Sequence, residues 1–325
     1  MAITPGYRKE NPFRDNVMRL QHMHLLLALA QTGSLRASAQ ALNVSQPALT
    51  KSLRQLEEEF GTPLVVRTPK GVRLAPAGEL VAARAATVVR EIERAREEVA
   101  WHTQHAQARV AVGVSPVAAI LLAPGALARF GARWPQVRVR MVDSLYPRVL
   151  AQVRAGELDL GIGPLPPEGA GRDLVVQPLF DSRHVIAARR GHPLAGATRL
   201  SQLSGAAWIL TGPAGGPGDP LHLRLEERGL PAPRIRCECE SFSTLLALMS
   251  ELDVVGVMPR GFFERYGPRT DLVALPIEDA LPATTIHLLT RADAPLPLPA
   301  RRLADASVLE ARAVRMGRTA RDKGE

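Results

Sequence analysis

The sequence predicts an α/β chain in which a short basic helical module and one long helix precede a larger α/β domain. Three observations carry this. Residues 19–75 hold short apolar patterns at helical spacing, broken by turn residues. Residues 76–106 have no Gly after Gly78 and no Pro after Pro76, and are rich in Ala, Arg and Glu. Residues 108–306 alternate apolar β-like runs with Gly/Pro turns and amphipathic stretches.

The 325-residue length suits two or three domains. Apolar residues make up 46% and charged residues 22%, which excludes a disordered or fibrous chain. No run of 18 uncharged apolar residues occurs, so no membrane span is expected. Residues 1–15 lack the apolar core of a secretory signal, and two cysteines make no disulfide framework. Both point to the cytoplasm. The net charge is +9, and 37 of the 41 basic residues are arginines. That balance fits a polyanionic partner such as nucleic acid, or simply a GC-rich genome.

In the first region, Leu20, Met23, Leu27 and Ala30 recur at helical spacing and Gly33 ends the helix. Ser34 is a good N-cap for a second helix with Leu35, Ala39 and Leu42 inward. After the Asn43-Val44 turn, Ser45 caps a third helix, with Pro47 in its first turn and Gly61 at its end. Its apolar stripe is Leu49, Leu53, Leu56 and Phe60. Leu64-Val65-Val66 and Val72-Arg73-Leu74 flank a basic turn, Pro69-Lys70-Gly71. The long helix carries a heptad seam of Val81, Ala85, Val88, Ile92, Ala95, Val99 and His102. The seam fits a partner helix from a second chain, or packing on its own domain.

Arg109–Val114 reads as a strand, followed by one helix holding Leu121, Leu122, Leu127 and Phe130. Strand Val137–Val142, helix Val149–Ala155 and strand Leu158–Ile162 complete a β-α-β-α-β series. Such a sheet is doubly wound and places ligand at the carboxyl ends of its strands.

Gln46, Thr50 and Arg54 recur at i, i+4 and i+8 on the polar face of the third helix, with Lys51 beside them. A second helix after a tight turn is the helix that enters the major groove in a helix-turn-helix. Gln suits adenine there, and Arg and Lys suit guanine. Ser45, Arg36, Arg67, Lys70 and Arg73 suit phosphates or a minor-groove wing. A solvated face on an ordinary three-helix bundle is the plainer alternative.

These residues resemble a family. Gly33-Ser34-Leu35, Ala39, Leu42, Val44-Ser45-Gln46-Pro47-Ala48-Leu49-Thr50, Leu53, Leu56-Glu57, Gly61, Leu64, Arg67 and Gly78 are similar to the LysR-type transcriptional regulators. Leu35 and Val65 stand at usual Phe positions, Ser38 at a usual Ala, and Thr50-Lys51 where Ser-Arg is frequent. The resemblance spans residues 19–306. It implies a winged helix-turn-helix, a dimerising linker helix and a two-lobed effector domain like the periplasmic binding proteins. It further implies a homodimer through the linker helix, a homotetramer, and promoter DNA with an interrupted inverted repeat. The expected organisation is a 1–18 extension, DNA-binding domain 19–76, linker helix 77–106, effector domain 107–306 and basic tail 307–325. Lobe I takes about 107–179 and 277–306, and lobe II about 180–276.

Ser115 follows the first strand and opens a helix, as a plain N-cap or as an anion site. The resemblance implies an effector carboxylate there. Thr211 opens a Gly-rich loop that lacks the Lys-Ser/Thr ending of a P-loop. Arg260 suits an anion, or a surface or hinge salt bridge. Phe242 and Tyr146 fit an apolar cleft wall or ordinary core. Together Ser115-Pro116, Tyr146-Pro147, Glu240-Ser241-Phe242 and Met258-Pro259-Arg260 resemble LysR-type members sensing aromatic sulfonates or carboxylates. The expected effector is therefore a small organic anion.

Other constellations are incomplete. Cys237 and Cys239 share a strand face, as a redox pair or as buried small residues. His102 and His105 lack further metal ligands, and Gly161-Ile162-Gly163 lacks the third glycine of a dinucleotide fingerprint. No nucleophile–base pair appears, so no enzyme, cofactor or metal is expected. The rival readings are a solute-binding protein or an α/β enzyme with an accessory helical module.

Overall fold

A computed structural model describes residues 18–69, 71–102, 108–166, 168–217 and 219–321. Residues 1–17 of the expected 1–18 extension, Lys70, His105 and the last four residues lie outside them. Two compact units divide at Glu97/Glu98.

In the first unit, α1 (Leu20–Thr32) ends at Gly33, whose φ of 62° is left-handed. Ser34 Oγ accepts from the Ala37 amide and caps α2 (Leu35–Ala41). Asn43 (φ 53°) turns the chain into α3 (Gln46–Phe60), capped by Ser45 Oγ at the Ala48 amide. Strands β1 (Val65–Thr68) and β2 (Gly71–Leu74) pair antiparallel, and α4 (Pro76–His102) follows.

The core of this unit joins Leu25, Leu26, Leu29, Ala39, Leu49, Leu53, Leu56 and Leu64. Fully burying one such leucine stabilises the unit by ~1.5–3 kcal/mol. Two expectations need correction. α1 turns Leu25, Leu26, Ala28 and Leu29 inward, while Ala30 is exposed and Leu20, Met23 and Leu27 are half-buried. Its Leu-Leu-Leu-Ala-Leu-Ala run is apolar on several faces, so spacing alone does not choose one. Phe60 is 43% exposed, because α3 has passed the edge of the core by its last turn. Along α4, Ala82, Ala85 and Val89 are buried, whereas Val88 (41%) and Val99 (64%) are exposed.

The second unit is α/β. Its order is β3 (Arg109–Val114), α5 (Pro116–Leu121), α6 (Ala123–Arg133), β4 (Arg138–Asp143), α7 (Arg148–Arg154), β5 (Leu160–Pro164) and β6 (Leu174–Ser182). Then come β7 (His184–Arg189), β8 (Ala207–Thr211), α8 (Pro220–Glu227), β9 (Arg234–Cys239), α9 (Phe242–Glu251), β10 (Val255–Pro259), α10 (Arg260–Tyr266) and β11 (Leu272–Ala274). β12 (Thr284–Arg291) and α11 (Leu298–Arg321) finish it. One five-stranded sheet has the order β4-β3-β5-β12-β6, the other β11-β7-β10-β8-β9. β3 runs parallel to β4 and β5, and β8 runs parallel to β9 and β10. The chain thus crosses from lobe I to lobe II at Arg183 and returns through 275–283.

Three differences from expectation have physical causes. The single helix after Ser115 is two, because Pro124 in the first turn of α6 cannot continue α5. β6 stays in the lobe I sheet through Ser182, beyond the expected boundary at 179, because it pairs with β12 to its end. The expected tail from residue 307 is the rest of α11. There Ser307 and Ala311 are buried and Val314 packs on the lobe I core. The Arg129–Glu310 ion pair (2.8 Å) ties α11 to α6. The arginines of this segment hide a Leu303, Ser307, Ala311, Val314 repeat at helical spacing.

Candidate nucleic-acid interface and ligand cleft

The two faces of α3 differ sharply. Leu49, Leu53 and Leu56 are buried, while Gln46, Pro47, Lys51 and Arg54 are exposed and Thr50 is half-buried. Ser45 Oγ accepts from Ala48 N (3.3 Å) and keeps its own proton for an outside acceptor. Thr50 Oγ1 donates to the Gln46 carbonyl (2.9 Å), so it offers lone pairs only. Arg36 on α2, Arg67 on β1 and Arg73 on β2 are exposed. The backbone can therefore present all of these basic groups to a polyanion; Lys70 lies outside the described residues.

Two positioning groups escaped the sequence reading. Glu57 Oε1 accepts from the Leu64 (2.9 Å) and Val65 (3.3 Å) amides, tying α3 to the start of β1. Its side chain is thus structural rather than an acidic blemish on a basic module. Buried Ser38 bonds Thr32 Oγ1 at 2.7 Å. The i, i+6 spacing across a turn carries no helical or strand period, so no pattern pointed to it.

In the second unit, residues at and just past the carboxyl ends of β4, β8 and β9 face each other across the lobes. They line a cavity of about 280 Å³: Asp143, Leu145, Tyr146, Pro147 and Arg148 on one side, Gly212, Pro213, Glu238, Cys239 and Glu240 on the other. Arg148 and Glu240 approach to 3.9 Å across it, both largely exposed. This pocket carries three carboxylates and one arginine.

Of the expected effector residues, only Tyr146 lines this cavity. Ser115, Thr211 and Ser241 stand at or just past the carboxyl ends of β3, β8 and β9. Ser115 is buried, its Oγ accepting from Ala118 N (3.4 Å), with Pro116 buried beside it. α5 has six residues, too short for a strong dipole at Ser115. Ser241 caps α9 and bonds Ser243 Oγ (2.9 Å). Phe242 packs edge-on against Phe262 at 5.5 Å, within the lobe II core. Arg260 lines a different cavity, with Arg183 and Arg315. Tyr146 and Arg260 thus line separate cavities.

The remaining constellations find structural uses. Asp219 caps α8 at Leu221 N (3.1 Å), accepts from Gly215 N (2.9 Å) and engages His222 Nδ1, which fixes the Gly-rich loop. The Cys237 and Cys239 sulfurs are 3.6 Å apart. Burial, and then the neighbouring Cys237, push the Cys239 thiol up to about 11. Among the described residues no cluster of three or more His, Cys, Asp or Glu could hold a metal.

A basic two-faced helix on a winged three-helix unit, followed by a two-lobed α/β unit, defines a ligand-responsive DNA-binding protein. Comparison with known proteins agrees. Residues 20–79 match the bacterial regulatory helix-turn-helix protein, lysR family, and residues 103–310 match the LysR substrate binding domain. The chain belongs to the LysR family of transcriptional regulators. It is 29% identical to the HTH-type transcriptional regulator TdcA of Escherichia coli K12 over 264 residues, 81% of this chain and 84% of that one. It is 31% identical to the SDS degradation transcriptional activation protein of Pseudomonas sp. over 245 residues, 74% of this chain and 78% of that one. The crystal structure of full-length CbnR complexed with its target DNA shares the fold. The TM-score is 0.66 at 19% identity, over 91% of this chain and 100% of that one. Among the described residues no helix is long and apolar enough to cross a membrane.

Proposed function

We propose that Gln46, Thr50 and Arg54 read base edges in the major groove while Ser45, Lys51, Arg36, Arg67, Lys70 and Arg73 hold phosphates. Pro47 sits in the first turn of α3, where its missing N–H breaks no helical hydrogen bond. The observation that carries this is the division of α3 into a buried leucine stripe and an exposed polar stripe. Two copies paired along α4 would present two such helices to a two-fold symmetric target, an interrupted inverted repeat. Exposed Val88 and Val99 support that pairing, and two dimers make a tetramer. Its DNA target puts the protein in the cytoplasm. Footprinting on the protein's own upstream region tests this reading. A symmetric protected pair of half-sites is expected, and a single unpaired site refutes the dimeric geometry.

A small organic effector, in this reading an anion with an aromatic body, sits between the lobes near Ser115, Tyr146, Thr211 and Ser241. It biases the lobe arrangement that it binds more tightly. The buried Ser115 hydroxyl and the Tyr146 ring support this. The three carboxylates at the cleft mouth favour a second reading, a ligand that also carries an amino group. Calorimetry with matched aromatic acids and amino acids separates the two. Binding of amines alone would overturn the anion.

A further inference from the structure

The two cysteines of the chain have no part in the functions described above. They stand two residues apart on β9, the outer strand of the lobe II sheet, with their sulfurs 3.6 Å apart. Cys239 is buried and lines the cleft-mouth cavity, while Cys237 is half-buried. We infer that this thiol pair is a binding site for trivalent arsenic, in a compound with two exchangeable hydroxyls such as arsenous acid.

The spacing points to a bridge of one atom. Alternate residues of an extended strand have Cα atoms about 6.6–6.8 Å apart, the long end of what a direct disulfide spans. Two sulfurs held tetrahedrally by one atom, each at about 2.3 Å, lie about 3.8 Å apart. Arsenic(III) has similar bond lengths and a slightly narrower angle, so the two sulfurs already stand at its bite. Zinc needs four ligands, and among the described residues no cluster of three His, Cys, Asp or Glu supplies them. Zinc also needs thiolates, whereas burial, and then the neighbouring Cys237, keep Cys239 a neutral thiol up to about 11.

Arsenous acid accepts neutral thiols. Each S–H displaces one hydroxyl: an As–O bond breaks, an As–S bond forms, and the thiol proton leaves with the hydroxyl as water. Arsenic stays trivalent, so no oxidant or reductant takes part, and the third hydroxyl remains on it. Cys237 is the more accessible and reacts first; Cys239 then closes the bridge within the same molecule. The cavity suits the reagent's charge. Asp143, Glu238 and Glu240 outweigh Arg148 there, and they repel anionic thiol reagents but not arsenous acid, which is uncharged at neutral pH. A closed bridge pins the end of β9 beside Glu240 and Ser241, where the lobe II wall of the cleft begins.

Intact-mass spectrometry of the reduced full-length protein with sodium arsenite tests the site. One arsenic should add with loss of two waters. Both thiols should then stop reacting with iodoacetamide, and a small dithiol should restore them. Cys237→Ser and Cys239→Ala should each hold arsenite about a hundredfold or more weakly, because the second bond is no longer intramolecular. Cys237→Ser alters a half-buried side chain, which keeps the test open should Cys239→Ala fail to fold. A loose Cys-x-Cys segment also takes arsenite, so urea unfolding separates the built site from the bare sequence. Arsenite should raise the wild-type midpoint and leave that of Cys237→Ser where it was. The inference is overturned if no arsenic adds at about 1 mM, if Cys237→Ser binds like the wild type, or if the wild-type midpoint does not rise. A product lighter by two hydrogens and free of arsenic, a direct disulfide, overturns it as well.

Discussion

The Val72 amide donates to the Gly33 carbonyl at 2.8 Å, fastening the wing strand to the turn that separates α1 from α2. This contact lets the wing and the recognition helix share one rigid frame. It also requires a bare backbone at Gly71, where a Cβ would stand 2.4 Å from the same Gly33 oxygen.

Gly71→Ala is therefore expected to cost about 2 kcal/mol or more, from the clash and from a φ of 132° that side chains avoid. DNA affinity should fall with it. Gly61→Ala, at φ 63° with open space around it, should cost only about 1 kcal/mol. Urea unfolding of the full chain, alongside gel shifts, compares the two. Equal losses would show that the wing contact is dispensable.

Arg54→Ala and Arg73→Ala should weaken DNA binding in different ways. Arg54 lies on the reading face, so its loss should cost about 1–3 kcal/mol on the preferred sequence and relax the preference at one position. Arg73 lies on the wing strand, so its loss should weaken all sequences alike and lower the salt slope by about 1. Binding isotherms at several salt concentrations on two sequences test both. Identical, sequence-blind losses would remove Arg54 from the reading face.

The two thiols should differ in reactivity. Thiolate is the reacting form, and burial holds Cys239 protonated up to about 11. Iodoacetamide at pH 8 should modify Cys237 first, with Cys239 following as the pH approaches that value. Peptide mapping by mass spectrometry reads the order, and faster modification of Cys239 contradicts it.

Acid should destabilise the second unit. Burial lowers the pKa of His287, against weaker opposing pulls from a backbone hydrogen bond at Thr285 and from Asp181. Burial also lowers that of His192, which Asp253 raises and Arg189 lowers further. The unfolded chain then binds more protons than the folded one. The stability is fully present above the ordinary histidine value of 6.5 and is lost as pH falls below it. Urea midpoints should drop between pH 7 and 5, and His287→Gln should make the drop shallower. An unchanged slope would clear His287 of the effect.

What the sequence reveals here follows from how local the physics is. Ser34 and Ser45 cap the helices that their positions suggested, because an N-cap acts within three residues. The polar stripe of α3 was legible for the same reason. The inward face of α1 was not, because an apolar run without polar interruptions has no unique face. The cleft was least legible. Its walls come from the ends of β4, β8 and β9, and their meeting is set by tertiary packing. Tyr146 and Arg260 each suit a ligand wall when read alone, yet they line separate cavities.

β12 lies between β5 and β6 in the first sheet, although it is made after every strand of the second. During synthesis, lobe I therefore waits with a gap in its middle while lobe II, continuous from His184 to Ala274, is already available to pack. The ribosome must release residues beyond Arg291 before the gap closes, and α11 beyond that before its core is sealed. A chain cut short at any point before Thr284 would leave two strand edges open to its neighbours, an invitation to aggregate.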